Sequence, residues 1–105
     1  MNWISYVFVR KDLLPITQTV QVGHACLKAG SLFQHCGDKT TLVVIQVKNE
    51  KSLMKEMAKI ESKRVRCAVF YEPDYNLGYT SFCTEPLSEK ERDIFKKYKL
   101  LVAKK

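Results

Sequence analysis

The stretch "VQVGHACLKAG", residues 20–30, decides how the chain folds, because it sets a glutamine, a histidine and two glycines inside an otherwise helical pattern. Glycine costs roughly 1 kcal/mol relative to alanine in a helix, and histidine is seldom fully buried. A helix that carries Gln21, Gly23 and His24 together therefore has a use for them. With successive residues about 100° apart, Thr17, Gln21, His24, Lys28, Ser31 and His35 fall in one narrow stripe, opposite Val22, Cys26, Ala29 and Phe33. The apolar side is expected to lie on a sheet, with Gly23 and Gly30 flanking it and allowing close approach. The polar stripe is either an ordinary wet face or one wall of a site.

Working outward, residues 3–9 form an almost unbroken apolar and β-branched run, as a strand covered on both faces requires. Pro15 suits the start of the helix, which is expected over residues 16–34 and to stop near Gly37. "TLVVIQV", residues 41–47, reads as a second strand. Asn49 then caps a helix that places Leu53, Met57 and Ile60 on one side and ends around residues 62–64. "VRCAVFY", residues 65–71, and "GYTSFC", residues 78–83, read as two further strands, paired antiparallel across the turn-rich "EPDYNL". Ser88 and Glu91 form a capping box for a last helix that turns Ile94 and Phe95 inward, and the apolar "YKLLV" beyond it is expected to dock.

The order β-α-β-α-β-β-α implies one α/β domain over residues 1–105, a four-stranded mixed β-sheet with helices on both faces and right-handed crossovers. At 105 residues the chain can bury one core without staples. No segment supplies the roughly 20 apolar residues of a membrane span, and "MNWISYVFVR" has no basic leader, so a cytoplasmic protein without a membrane partner is expected. Cys26, Cys36, Cys67 and Cys83 form no C-x-x-C, and only His24 and His35 could join them around zinc. They are expected to be reduced core residues, and no metal or cofactor is expected. The net charge of +7 favours an anionic partner such as RNA.

Arg10, Lys11 and Asp12 close the first strand at its carboxyl edge, where open α/β sheets usually bind ligands. The first turn of the helix, around residues 16–19, opens on that edge with N–H groups suited to an anion. Glu72, just past the third strand, is expected near the same edge.

These residues resemble the type 2 peptidyl-tRNA hydrolases, whose pattern runs from a strand into R-x-D-L and then G-K-x-x-A-Q-x-x-H-A on the first helix. Arg10, Asp12, Leu13, Gln21, His24 and Ala25 match it. The family's later aspartate, threonine and proline correspond to Glu72, Thr80 and Pro86, so the resemblance covers nearly the whole chain. Thr17 replaces the family lysine, the stretch from Asp12 to Gln21 is shorter, and "EPDYNLG" stands for the D-A-G-x-T loop. In these departures the chain is similar to the divergent branch of peptidyl-tRNA hydrolase domain-containing proteins.

The resemblance implies metal-independent hydrolysis of the ester between a peptide, or an N-blocked amino acid, and the tRNA 3′ end. Glu72 would position or deprotonate water, and Thr80 would hydrogen-bond water or substrate. Lys11 would supply the charge that Thr17 lacks, and His24 would act as acid or base. Arg10, Lys11, Thr17, Gln21 and Lys28 would bind tRNA phosphates, with the protein a monomer or homodimer. The alternative is a non-catalytic relative that binds tRNA, a nucleotide or a protein through the same groove.

Overall fold

A computed structural model of the chain describes residues 3–33 and 40–98. The strands are β1 (Trp3–Arg10), β2 (Thr40–Val47), β3 (Cys67–Glu72) and β4 (Gly78–Thr84), and the helices are α1 (Pro15–Leu32) and α2 (Glu50–Glu61). They form one mixed sheet in the order β2-β1-β4-β3. β1 runs parallel to β2 and antiparallel to β4, and β4 runs antiparallel to β3. β1, β2 and β3 therefore all point the same way, and their carboxyl ends share one edge.

The central position of β1 explains its composition. Residues 5–9 are all buried, and successive side chains go to opposite faces. Tyr6 and Phe8 join Ile45, Leu53, Ile60 and Phe82 in the core beneath α2. Val7 joins Ala25, Ala29, Ala68 and Cys83 beneath α1. The first core is held by aromatic packing: Phe8 stacks on Phe82 at 4.5 Å and Tyr6 on Phe95 at 4.0 Å between ring centroids. Going from β1 to β2 and from β2 to β3 the chain crosses the sheet in opposite directions, so two crossovers of one hand put the helices on opposite faces.

Three expectations change. The segment after Ser88 keeps its capping box and buries Phe95, yet its described part consists of two single 3₁₀ turns, Glu89–Glu91 and Asp93–Phe95. The chain is held there by packing rather than by helical length. Tyr98 meets Phe8 edge-on at 5.0 Å and donates from its hydroxyl to Glu56 Oε1 at 2.7 Å. The close seat of α1 comes from Gln21, Ala25 and Ala29, its buried residues, whereas Gly23 and Gly30 are exposed. α1 also ends at Leu32, earlier than expected, while Gln34, His35, Cys36 and Gly37 lie outside the described residues. Among the described residues no helix is long and apolar enough to cross a membrane.

Gly23 and Gly78 make opposite demands. A Cβ added at Gly23 meets nothing within 4 Å, and the residue sits in the helix interior. Gly78 adopts φ +78°, and a Cβ there would meet the Glu50 carboxylate, which also accepts the Tyr79 N–H at 2.7 Å. Urea unfolding should show Gly23→Ala more stable by about 0.5–1 kcal/mol and Gly78→Ala less stable by at least about 1 kcal/mol.

Candidate functional site

A fault in the regular ladder builds the site. The register between β3 and β4 shifts at Phe70/Tyr71: Phe70 faces Ser81, but Tyr71 faces Tyr79, leaving Thr80 without a partner of its own. Such a bulge lets two consecutive residues act on one side of a sheet. Ser81 donates to the Gln21 carbonyl oxygen at 2.8 Å, and Thr80 donates to Gln21 Oε1 at 2.6 Å. At its other end, the Gln21 amide donates from Nε2 to Glu72 Oε1 at 2.9 Å. Gln21, only 2% exposed, thus links buried Thr80 to the carboxylate at the end of β3.

The amide orientation follows from this chain. Glu72 accepts only, so the Gln21 NH₂ must face it and the amide oxygen must face the hydroxyl of Thr80. The second carboxylate oxygen, Oε2, receives the Asp74 N–H at a long 3.5 Å. It therefore retains accepting capacity for a water or substrate proton.

Glu72 and Gln21 lie in the wall of a cavity of about 500 Å³ at the carboxyl edge of the sheet, between the start of α1 and the β3–β4 connection. Asp12 and Thr17 also line it, and Leu13, Leu14, Ile16, Val20, Tyr75 and Leu77 complete the lining. The volume is in the range of small-molecule sites. Its chemistry differs from the basic groove expected: among the described residues the ionisable side chains in its wall are Asp12, Glu72 and Tyr75, with no lysine or arginine.

The expected residues thus separate. Thr17, Gln21 and Glu72 come together in the cavity wall. Thr80 is fully buried behind Gln21, outside the cavity wall, and its hydroxyl is engaged by the Gln21 amide oxygen. Arg10 is a brace: Nε and one terminal nitrogen grip both oxygens of Asp12 at 3.0 Å, and the other terminal nitrogen donates to the carbonyls of Leu77 and Tyr79 at 2.5 and 3.1 Å. Those four bonds commit most of its five donors to the protein itself. Lys11 is exposed at the following turn, where its N–H donates to the Val47 carbonyl at 2.8 Å. Lys28 donates from Nζ to the Val69 carbonyl at 2.7 Å, alongside β3. The His24 ring lies flat against Phe70 with centroids 4.4 Å apart, outside the cavity wall. The polar stripe of α1 is therefore divided: Gln21, Lys28 and His24 meet β3 and β4, Thr17 lines the cavity, and Ser31 is exposed.

Leu14, Ile16, Val20 and Tyr75 were not among the expected site residues. The only sequence signal was a set of large apolar residues where the helix pattern did not need them, and Tyr75 in a turn.

Cys26, Cys67 and Cys83 are free thiols, and Cys36 lies outside the described residues. Among the described residues no three His, Cys, Asp or Glu side chains are grouped as a metal ion would need. A hydrogen bond with Cys83 lowers the pKa of Cys26 and raises that of Cys83, whose burial adds to the rise. Burial, aided by Glu61 and Glu85, pushes Cys67 up to about 12.

A scan against protein-family models and a search of curated proteins both give no match.

Two measurements follow from these contacts. Because the thiolate is the nucleophile, iodoacetamide near pH 8 should alkylate Cys26 before Cys67 and Cys83, as peptide mass spectrometry would read. The hydrogen bond from Arg10 holds the Asp12 carboxyl below its ordinary 3.8. A depressed folded-state pKa contributes stability above the unfolded value and loses it as pH falls through the folded one. Asp12→Asn should therefore be less stable than the native protein at pH 7, and urea midpoints should converge as pH drops below about 4.

Proposed function

We propose that the chain is a hydrolase of the ester between a peptide, or N-blocked amino acid, and the tRNA 3′ end, with Glu72 as its base. The observation that carries this reading is the hydrogen-bonded chain Thr80–Gln21–Glu72, which fixes one carboxylate oxygen of a residue in the wall of an open cavity. Its residues are those that match the type 2 peptidyl-tRNA hydrolase pattern, with glutamate in the place of aspartate.

In this mechanism a water held by Glu72 Oε2 attacks the ester carbonyl as its proton passes to the carboxylate. The tetrahedral intermediate then expels the ribose oxygen, which receives that proton, and the peptide leaves as the carboxylic acid, which loses its remaining proton to solvent. α1 begins at Pro15, so the N–H groups of Ile16 and Thr17, both in the cavity wall, have no carbonyl four residues back inside the helix. They are the donors for the developing oxyanion. Lys11, exposed beside the cavity-forming turn, serves the phosphates of the RNA with the rest of a surface of net charge +7.

A second reading, a non-catalytic module binding RNA or protein through the same face, is favoured by one observation. Among the described residues no lysine or arginine lines the cavity, and Thr17 stands where the family lysine would be.

Purified protein incubated with N-acetyl-aminoacyl-tRNA decides between them by release of the acyl group. The hydrolase reading expects turnover by the native protein and a loss of roughly 10² to 10⁴ fold in Glu72→Gln, with tRNA affinity nearly unchanged. Binding of tRNA without any hydrolysis would establish the module instead.

A further inference from the structure

We propose that the cavity in front of Glu72 is an acyl pocket that admits large apolar side chains and rejects acidic ones, an inference that rests on the ester-hydrolase reading. Nine large hydrophobic side chains stand exposed among the described residues, and four of them line this one cavity: Leu14 and Ile16, each 70% exposed, Val20 and Tyr75. Clustered exposed apolar surface of this kind marks a place that another molecule covers. Tyr75 is the extreme case. It is 92% exposed, and it and Asn76 both hold positive φ, 57° and 56°, so the turn backbone presents the ring at the rim.

Charge decides which part of the substrate enters. Asp12 is neutralised by Arg10 at 3.0 Å, which among the described residues leaves Glu72 as the uncompensated charge of the wall. Among the described residues a phosphate brought here would meet a carboxylate and no cation in the wall, although the chain as a whole carries +7. The nucleic acid is thus directed outward, to the basic exterior. Once the ester carbonyl is placed at the water on Glu72, its two substituents must diverge. The ribose and its phosphates leave toward solvent, and the acyl residue is pressed against the apolar wall. An apolar side chain there replaces water against Leu14, Ile16, Val20 and Tyr75. A carboxylate would lose its hydration beside Glu72 and find no donor charge in return.

The test compares N-acetyl-leucyl-, N-acetyl-phenylalanyl- and N-acetyl-aspartyl-tRNA as substrates. It also compares the leucyl and aspartyl forms of 3′-amino-adenosine carrying the N-acetylated residue through an amide, which report binding without turnover. The expected result is a kcat/KM at least about 10-fold higher for the leucyl and phenylalanyl esters than for the aspartyl ester. The leucyl amide should bind tighter than the aspartyl amide by a similar factor. Tyr75→Ala and Val20→Lys, both changes at exposed positions, should shrink that ratio, the second by raising the aspartyl rate. Equal rates and equal amide affinities for the leucyl and aspartyl compounds would overturn the acyl pocket and leave the hydrolase standing. Tighter binding of the leucyl amide with no hydrolysis of any ester would support the pocket and overturn the hydrolase. N-acetyl-leucinamide, lacking adenosine, binding as tightly as the leucyl adenosine amide would overturn the assignment in favour of a peptide-docking groove.

Discussion

One buried carboxamide organises this molecule. Gln21 accepts from Thr80, donates to Glu72 and offers its backbone carbonyl to Ser81, so a single residue fastens α1 to β3 and β4. Leaving such a group unpaired in the interior costs on the order of 1–3 kcal/mol, so the three contacts stand or fall together. They also set the height and rotation of the helix. With Gln21 turned in, Ala25 and Ala29 follow at four-residue spacing and meet Val7, Ala68 and Cys83. Val20 and Ile16 are left facing out, at the rim of the cavity. The apolar wall of the site is thus the price of seating a polar residue in the core.

The bulge at Thr80 is the second half of the same device. In an unbroken strand Thr80 would face α2 while Ser81 faced α1, and Gln21 would find only one of the two hydroxyls. The extra residue brings both to the helix. It also lies next to Gly78, whose positive φ opens the strand and whose neighbour Tyr79 hands its N–H to Glu50 at the start of α2. Arg10 ties the same corner to the end of β1 through Leu77 and Tyr79. The connection that carries Tyr75 is therefore pinned by an arginine from β1 and, through β4, by a carboxylate from α2.

Electrostatically, the site and the molecule have opposite signs. The chain is basic, but the lysines and arginine expected around the groove are used elsewhere or lie outside its wall. Arg10 is committed to Asp12 and two carbonyls, Lys28 to a β3 carbonyl, and Lys11 sits on the turn beyond. The net charge of +7 favours polyanions in general, whereas the described wall of the cavity is apolar and acidic.

Where the chain's own pattern sufficed, it did so because the signal was local or periodic. The solid apolar run of β1 could only be a strand covered on both faces. Asn49, which accepts the Ser52 N–H at 2.9 Å, marked the start of α2 through a contact within one turn. Ser88 and Glu91 likewise revealed their capping box, though not that the helix beyond them would be reduced to 3₁₀ turns in its described part. Gln21 and Glu72 could be named as members of a site, but their bond could not, since it spans 51 positions and depends on the order β2-β1-β4-β3. A helical projection rightly set Val22, Cys26, Ala29 and Phe33 against the sheet, but it could not show that Gln21 would be buried beside them; that took the hydroxyls of Thr80 and Ser81, delivered by a register shift. The acidic, apolar character of the cavity was equally out of reach, because whether a charged side chain faces a ligand or a neighbouring carbonyl is settled only when distant segments meet.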